Sequence, residues 1–444
     1  MNIVQITPGA GGMFCGNCFR DNALVAALRK LGHETLLVPL YLPMTLEEAD
    51  QSAGTPIFYS GINVYLEQKI PAFSRAPAFL RRWLASPALL KWAAGRAAKT
   101  RAQDVGDLTV SMLRGEEGRQ AAELDELIAW LKKGPRPDVI SLSNSMLAGL
   151  ARKLRRELGA PVVCMFQGED TFLDGLPRVQ REEAWRVLSE RAADVDLFVA
   201  PSHYFADLMS KKLGLAPDRV RVIYNGINLD GFFPASAIPD PPVIGYFARM
   251  CREKGLDTLI EAFIQLKHRN KIPGVKLKIG GGMGPSDAPF VEQLKSRLTT
   301  AGLVQDVEFF PNLDRITKQE LYRTFTVFSV PALYGEAFGL YLVEAWASGV
   351  PVVQPRHASF PELIQATGAG LLCEAGSPAA LAENIERLLL NPDRLAAMRE
   401  SGRKAVVQDF SIERMTQKLV ELFRELTRPA AEPSARHQLN PQAR

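Results

Sequence analysis

The sequence predicts an α/β protein of two doubly wound domains that face each other across a central cleft. Its length of 444 residues favours two domains. Apolar strand-like runs alternate with helix-like runs, and the alternation breaks once, at the proline-rich segment 234–242. Alternating strands and helices form parallel sheets with helices on both faces, and ligands bind at the carboxyl ends of those strands. We therefore expect a ligand site where the two domains meet.

The first series of elements defines an N-terminal domain, which we predict over residues 1–236. It opens with the strand run NIVQIT, a glycine-rich loop, the helix run NALVAALRKLGH and the strand run ETLLVPLYL. The alternation resumes with DVISLS, MLAGLARKLRREL, PVVCMF, REEAWRVLSERAA and DLFVAPS. The segment PASAIPDPP that follows lacks hydrophobic periodicity, so we interpret it as an interdomain linker.

The second series predicts a C-terminal domain over residues 237–427. Its runs are PVIGYFAR, GLDTLIEAFIQL, VKLKIGG, PFVEQLKSRLTTAG, VEFFP, LYRTFTVFSVP, GLYLVEAWASG, VPVVQP and LAENIERLLL. We expect the last helix of this domain to pack back on the N-terminal domain. Residues 428–444, RPAAEPSARHQLNPQAR, have the composition of a disordered tail.

Composition and charge narrow the class of protein. A net charge of +4 is too small to indicate a nucleic-acid partner. The five cysteines are odd in number and mostly isolated, which argues against a secreted disulfide framework and favours a cytoplasmic location. The chain begins with a strand run and contains no uninterrupted apolar run of about 18 residues, so we expect neither a signal peptide nor a membrane-spanning helix.

One segment of the N-terminal domain departs from the α/β pattern, and we predict a helical insertion over about 68–133. No acidic residue occurs between Glu67 and Asp104, while lysine and arginine alternate with aromatic and leucine residues. One interpretation is that residues 69–101 contact an anionic membrane at the inner face of the cell membrane, or an anionic acceptor. The other is a helical hairpin that packs on its own domain and exposes its basic face to water.

The strongest chemical signal is the stretch ALYGEAFGLYLVEAWASGVPVV. Glu336 and Glu344 lie eight positions apart in it, among apolar residues that favour burial, and a buried carboxylate requires a partner. A helix that begins near Phe338 would separate the two carboxylates by roughly 12 Å along its axis. That separation suits the sugar and the ribose of a nucleotide-sugar, with the pyrophosphate bound where the helix starts, at Phe338, Gly339 and Leu340. The alternative is that either glutamate only caps the helix or forms an ion pair.

This stretch resembles the E-x7-E signature of the retaining, GT-B-fold glycosyltransferases of family 4. Four other stretches are similar to motifs of that family: GYFARMCREKGLDTLIEAF, VIYNGINLDGF, LKIGGGMGP and PVVCMFQGED. The resemblance covers most of the chain, and the E-x7-E pattern combined with an Arg/Lys pair is its specific part. It implies the GT-B architecture of two Rossmann-like domains, the first binding the acceptor and the second the nucleotide-sugar.

The resemblance also implies roles for individual residues of the C-terminal domain. Arg249 and Lys254 would neutralise the leaving diphosphate without a metal, which agrees with the charge that develops on it. Glu336 would contact the hydroxyls of the donor sugar and Glu344 the ribose. We therefore expect Glu336, Arg249 and Lys254 to be catalytic. Surface charge on a turn is the alternative for the two cations.

The glycine loop GAGGMFCGNC raises a separate question, since its Cys15-x-x-Cys18 pair also fits a redox dithiol. The family's loop after the first strand carries adjacent glycines that approach the donor diphosphate, and Gly11 and Gly12 match them. We interpret the two cysteines as packing residues of an enlarged loop.

On the acceptor side we place four residues: Arg20, Asn22, Gln167 and Asp170. Gln167 stands where the family often has histidine, and Asp170 could equally be a helix cap. The family's G-G-x-P-E loop is represented by residues 358–362, ASFPE, without either glycine.

The predicted function is retaining transfer of a hexose-type sugar from a UDP-, GDP- or ADP-linked donor to a glycan, lipid or small-molecule acceptor. We expect no cofactor, no metal site and no nucleic-acid partner. Alternatives are a GT-B-fold sugar-nucleotide epimerase or phosphorylase, a thiol oxidoreductase that uses the CxxC pair, and a non-catalytic membrane-binding scaffold. The oxidoreductase leaves the two glutamates and the Arg/Lys pair unexplained. We recognise neither the acid/base residues of an epimerase nor the pyridoxal lysine of a phosphorylase.

Overall fold

A computed structural model describes residues 1–9, 16–44, 46, 48–59 and 102–428. Gly11, Gly12, Cys15 and the basic segment 69–101 lie outside the described residues, as does the predicted tail beyond residue 428. Within the described residues the chain forms two parallel six-stranded sheets with helices on their faces. The predicted α/β class of two doubly wound units is confirmed.

The N-terminal sheet has the strand order β2-β1-β3-β4-β5-β6, and all its neighbouring strands are parallel. The central strands β3, β4 and β5 are buried along their whole length, as expected for apolar runs covered on both faces. The strands are β1 (Asn2–Thr7), β2 (Glu34–Pro39), β3 (Val139–Leu142), β4 (Val162–Met165), β5 (Leu197–Ala200) and β6 (Val220–Val222).

Seven helices belong to the described part of this half. They are α1 (Gly16–Lys30), α2 (Ala102–Arg114), α3 (Ala121–Leu131), α4 (Ala151–Leu158), α5 (Glu169–Asp174), α6 (Arg178–Arg191) and α7 (His203–Leu213). The described part of the predicted insertion forms α2 and α3, which pack through Leu113, Leu124 and Leu127 into the core of the same half. Helix α7 begins at the Ser202 cap and ends at Gly214, which is left-handed.

The C-terminal sheet has the order β12-β11-β10-β7-β8-β9 and is also parallel. Its strands are β7 (Val243–Phe247), β8 (Lys276–Gly281), β9 (Val307–Pro311), β10 (Val327–Phe328), β11 (Val352–Pro355) and β12 (Gly370–Cys373). Its helices are α8 (Leu256–Arg269), α9 (Ala288–Thr300), α10 (Arg315–Arg323), α11 (Leu340–Ala347), α12 (Phe360–Thr367), α13 (Pro378–Leu389) and α14 (Pro392–Asp409), and α15 (Ile412–Thr427) follows them.

Helix α15 returns to the N-terminal half. Met415, Leu419 and Phe423 of this helix share one buried cluster with residues of β1 and α1. The chain first passes from the N-terminal to the C-terminal half near Ile227. It passes back beside that place, because the N–H of Ile412 donates to the carbonyl of Ile227 at 2.8 Å. The two halves are thus joined by two neighbouring segments of the chain. No helix among the described residues is both long enough and apolar enough to cross a bilayer.

Candidate active site

Glu336 and Lys254 form a largely buried ion pair at the carboxyl edge of the C-terminal sheet. Nζ of Lys254 lies 2.6 Å from Oε2 of Glu336, and the two side chains are 19% and 14% exposed. The same oxygen accepts hydrogen bonds from the hydroxyls of Tyr341 (2.8 Å) and Tyr334 (3.1 Å). Within the described chain Oε1 of Glu336 accepts no hydrogen bond. That oxygen is therefore available to a ligand.

The charges of this pair are mutually stabilised. Burial alone raises the pKa of Glu336, but the Lys254 ammonium and three hydrogen bonds outweigh it and hold that pKa below its ordinary value. Burial likewise opposes the charge of Lys254, yet the neighbouring Glu336 carboxylate raises the pKa of Lys254. The ammonium also lies over the rings of Tyr334 and Tyr341, at 4.9 and 5.2 Å from their centroids. Both groups are thus ionised at neutral pH.

A glycine places Lys254 beside Glu336. Lys254 ends a short 3-10 helix after β7, and Gly255 follows with φ of 69°, in the left-handed region. A Cβ at Gly255 would collide with the carbonyl oxygen of Pro331, in the loop that leads to Glu336. Glycine is therefore required for the close approach of the two loops. The need for this close approach explains why a glycine follows the lysine in the K-G pattern of the sequence.

Glu344 forms a second carboxylate–lysine pair on α11. Its Oε1 lies 3.1 Å from Nζ of Lys318, and its Oε2 accepts from the hydroxyl of Tyr322 at 3.0 Å. Lys318 and Tyr322 are four residues apart on α10 and are buried. The Glu344 side chain keeps 16% of its surface exposed. The sequence singled out neither Lys318 nor Tyr322, because each comes from a helix whose pattern indicates only packing.

Helix α11 begins at Leu340, two residues later than the sequence pattern predicts. Gly339 precedes it with φ of 93°, so the backbone turns there and Glu336 lies in the loop rather than at the mouth of the helix. The separation of roughly 12 Å along one helix axis, which we expected for the two glutamates, therefore does not apply. Phe338 is buried against Tyr224 and Phe410, so its side chain belongs to the core.

The start of α1 lies opposite the start of α11. A Cβ at Gly16 would come within 3.7 Å of the Leu340 side chain. Gly11 and Gly12 precede α1 in the chain and lie outside the described residues. Cys18, on the first turn of α1, is fully buried.

Arg249 forms a bidentate ion pair with Asp287. Its Nε and Nη2 lie 3.0 and 2.8 Å from the two carboxylate oxygens. The Asp287 side chain is 7% exposed and that of Arg249 is 60% exposed. The guanidinium is therefore held by a buried carboxylate on one side and is open to solvent on the other. Burial raises the pKa of Asp287, but the arginine outweighs it and lowers that pKa overall. Asp287, which the sequence did not single out, positions the arginine.

The QGED turn after β4 is organised by Glu169. The Glu169 carboxylate accepts from the backbone N–H groups of Ser145 (2.7 Å), Gln167 (2.7 Å) and Gly168 (2.9 Å). Gly168 is the N-cap of α5, so Asp170 is not a helix cap. Asp170 is buried, its Oδ1 has no partner within the described residues, and burial raises its pKa. The sequence identified the turn but not the glutamate that holds it.

Arg20 and Asn22 make contacts inside the N-terminal half. Arg20 is buried, pairs with Asp21 and donates to the carbonyl of Ser143 at 3.2 Å. The Asn22 amide donates to the carbonyl of residue 49 (3.0 Å) and accepts from the N–H of residue 51 (2.8 Å). The contacts of Asn22 therefore fix the loop after β2, and an acceptor role for either residue stays a prediction.

The N-terminal half contacts the loop that carries Glu336. A Cβ at Gly168 would lie 3.7 Å from the side chain of Ala337, and the Ser202 hydroxyl donates to the Ala337 carbonyl at 2.7 Å. Glu362, in the segment that replaces the G-G-x-P-E loop, accepts from the backbone N–H groups of residues 203–204 at 2.9 and 3.0 Å. Gln167, beside Gly168, thus belongs to the turn that borders this loop.

A further ion pair joins the two halves. Arg315, at the start of α10, lies 2.9 Å from the carboxylate of Glu48, in the loop after β2. Across the residues that the structure describes, no group of three or more His, Cys, Asp or Glu side chains is placed to hold a metal ion.

Two family models match consecutive parts of the chain. The model of Glycosyl transferases group 1 matches residues 231–405, and that of Glycosyltransferase Family 4 matches residues 93–230. The matches meet where β6 has ended and the linker to the C-terminal sheet runs.

Curated relatives share part of their length with this chain. D-inositol 3-phosphate glycosyltransferase 1 of Catenulispora acidiphila is 32% identical over 218 residues, which is 47% of this chain and 52% of the relative. Alpha-maltose-1-phosphate synthase of Mycolicibacterium smegmatis is 27% identical over 241 residues, 50% of this chain and 60% of the relative. The chain thus spans between half and three fifths of the length of these relatives.

Solved structures share the fold over nearly the whole chain. Sucrose-phosphate synthase from Thermosynechococcus elongatus superposes with a TM-score of 0.67 at 20% identity, covering 96% of this chain and 98% of that one. Anabaena Alr3699/HepE in complex with UDP gives 0.66 at 18% identity, covering 96% and 100%. These likenesses concern the fold, which is GT-B. The two family models together match residues 93–405, more than half of the chain, so the chain belongs to the glycosyltransferases that these models describe, Glycosyltransferase Family 4 and Glycosyl transferases group 1.

Proposed function

We propose that this protein is a retaining glycosyltransferase that moves a hexose-type sugar from a nucleotide-sugar to a hydroxyl of an acceptor bound by the N-terminal half. The observation that carries the proposal is the pair of lysine-held carboxylates, Glu336 with Lys254 and Glu344 with Lys318. The family supports it, and so does the likeness in fold to a protein solved with UDP and with UDP-glucose.

The donor's nucleoside is assigned to Glu344. Each oxygen of this carboxylate already has one donor, from Lys318 and Tyr322, which fixes its orientation. A carboxylate oxygen accepts more than one hydrogen bond, so the oriented group can still receive the two hydroxyls of a ribose. The partial exposure of Glu344 provides the access that this contact needs.

The donor's diphosphate is assigned to the start of α11 and to two cations. The first-turn N–H groups of a helix favour anions, and here they follow Gly339 directly. The Lys254 ammonium and the open side of the Arg249 guanidinium supply full positive charge. Because the negative charge of the diphosphate grows as the bond to the sugar breaks, these groups stabilise the transition state more than the bound donor.

The sugar is assigned to Glu336. Its uncommitted Oε1 can accept from hydroxyls of the donor sugar, and its negative charge favours the positive charge that develops on the ring. In the proposed reaction the bond between the anomeric carbon and the diphosphate oxygen breaks to give a short-lived ion pair. The acceptor oxygen bonds to the same face of that carbon, and its proton passes to the departing diphosphate. Glu336 serves as an electrostatic and orienting group.

The acceptor is assigned to the turn 167–170, which borders the loop of Glu336 through Gly168 and Ala337. The unpartnered Oδ1 of the buried Asp170 offers a polar group on that turn. Glycans, lipids and small polyols all present suitable hydroxyls. The relatives named for D-inositol 3-phosphate and for phosphatidylinositol monomannoside make inositol-containing acceptors a sensible part of the first panel.

A donor screen tests the proposal. We would incubate the protein with UDP-, GDP- and ADP-linked hexoses, measure the shift in melting temperature, and assay hydrolysis and transfer to the acceptor panel. At least one donor should stabilise the protein and be consumed, and Glu336→Gln should abolish consumption. The matched control is Glu374→Gln, whose carboxylate is exposed in the segment between β12 and α13. If no nucleotide-sugar binds, or if Glu336→Gln leaves consumption unchanged, the proposal fails.

A further inference from the structure

A cavity lies beyond the C-terminal end of α11, whereas Glu336 precedes the N-terminal end of this helix. It has a volume of about 740 Å³ and is open to solvent. Its walls are the linker residues 234–238, Gly349 just beyond α11, and one side of α14. Nothing in the proposed donor or acceptor site lines it.

The cavity carries positive charge that its surroundings do not neutralise. Arg399, Arg403 and Lys404 line it, against the single carboxylate of Glu400. Among the described residues neither guanidinium has a carboxylate partner: Arg403 donates to carbonyl oxygens at 2.7 and 3.0 Å, and Arg399 to one at 3.5 Å. Nη1 of Arg399 is buried and has no partner within the described residues.

Burial acts on both guanidiniums in the same direction. It lowers the pKa of Arg399 and of Arg403, and no neighbouring anion counteracts it. An ionised group that is partly desolvated and unpaired is stabilised by an anionic ligand more than an exposed one is. An anionic ligand in the cavity would supply the negative charge that both guanidiniums lack.

The rest of the wall is apolar. Val407 and Ile238 face the cavity with 50% and 41% of their surface exposed, and Ala396 and Ala237 lie beside them. Exposed aliphatic side chains next to a guanidinium suit a ligand that has an apolar body and one anionic group. A free inorganic ion would leave the aliphatic side chains uncovered.

We propose that this cavity binds a small phosphate monoester with an apolar body, and that its occupancy is coupled to nucleotide binding through Arg403 and α11. Arg403 holds the carbonyl of Ala347, the last residue of α11, and that of Phe232, which precedes the linker. Helix α11 carries Glu344, and its first turn forms part of the proposed diphosphate site. An anion that draws Arg403 toward the cavity weakens its hydrogen bonds to both carbonyls, at the end of α11 and before the linker. The coupling rests on the proposed nucleotide site, whereas the binding does not.

Phenyl phosphate is the probe that tests the binding. We expect wild-type protein to bind it in calorimetry at millimolar concentration or better, and Arg399→Met to weaken that binding by about tenfold or more, the loss typical of a charge-assisted hydrogen bond. Arg394→Met is the matched control, since Arg394 is an exposed residue of the same helix that does not line the cavity. It should bind the probe like the wild type.

Three results would overturn the binding: no binding by the wild type, equal binding by Arg399→Met, or complete competition by saturating UDP, which would place the probe in the cleft. The coupling predicts that phenyl phosphate changes the affinity for UDP in the wild type but not in Arg399→Met. An unchanged UDP affinity in the wild type would refute the coupling. Binding of phenyl phosphate without binding of any nucleotide would refute the proposed function. It would still support a phosphate monoester as the ligand of the cavity.

Discussion

Nζ of Lys254 lies 2.6 Å from Oε2 of Glu336, although 82 positions separate the two residues in the chain. Each is mostly buried, and each is the partner that makes the burial of the other tolerable. The pair stands at the centre of the proposed site, and we propose that it contributes both to the stability of the C-terminal half and to catalysis. Those two contributions can be separated experimentally.

Removing one member of the pair should cost more stability than removing both. Lys254→Met leaves the Glu336 carboxylate buried without a cation, a situation that costs about 3–5 kcal/mol in unfolding free energy. The double variant Lys254→Met/Glu336→Gln should recover most of that loss while staying inactive. Urea unfolding and a donor-consumption assay measure the two effects. A single variant as stable as the wild type would show that the ion pair does not form.

The pair should make no pH-dependent contribution to stability across the neutral range. Because the pKa of Glu336 lies below its ordinary 4.5, the contribution is complete above pH 4.5 and is lost as pH falls through the lower folded value. Because the pKa of Lys254 lies above its ordinary 10.5, the contribution is complete below pH 10.5 and is lost as pH rises through the higher folded value.

The unfolding free energy of the wild type minus that of Lys254→Met/Glu336→Gln should therefore stay flat between about pH 5 and 10. Urea titrations at closely spaced pH values provide the measurement. A step in this difference near neutral pH would mean that one of the two groups is not ionised as the geometry requires.

Glu344 should govern recognition of the ribose. Glu344→Gln weakens the acceptor strength of the group, and Tyr322→Phe removes one of the bonds that orient it; each should raise the KM for the donor about three- to tenfold with a smaller effect on kcat. Glu344→Gln should also reduce the preference for a ribose donor over its 2′-deoxyribose analogue. Glu320→Gln, an exposed carboxylate on α10, is the control. An unchanged preference would remove Glu344 from the ribose site.

Gly255 should be required for more than its backbone conformation. Gly255→Ala and Gly376→Ala both place alanine in the left-handed region, at φ of 69° and 70°, which costs about 1–2 kcal/mol. Only at Gly255 does the added Cβ also meet a carbonyl oxygen, while at Gly376 nothing lies within 4 Å. Gly255→Ala should therefore lose more stability and most activity, and Gly376→Ala should keep its activity. Equal activity losses in the two variants would contradict this account of the K-G pattern.

Periodicity and spacing predicted the architecture because they report local and repetitive requirements. The alternation of strand and helix runs, the linker and the buried carboxylates all follow from short stretches of sequence. The partners of the functional groups cannot be predicted from short stretches of sequence. Asp287, Lys318 and Tyr322 come from helices or loops whose patterns indicate only packing, and the fold alone brings them to Arg249 and Glu344.

Two local details of the site become clear only from the structure. Helix α11 starts after Gly339, since the left-handed glycine turns the backbone before the first helical residue. In QGED the carboxylate that binds backbone N–H groups is Glu169, while Asp170 faces a buried environment without capping the helix. A short polar residue at a predicted helix start does not reveal which of two neighbouring carboxylates folds back onto the turn.

The anomeric configuration of the first product tests the central proposal most directly. A nucleoside diphosphate α-hexose incubated with the wild type in water, without added acceptor, is followed by proton NMR faster than the free sugar mutarotates. We expect the α-anomer to be released first, and Glu336→Gln to release none. Initial release of the β-anomer would contradict retention at this site, and an untouched donor in every nucleotide series would contradict the transferase itself.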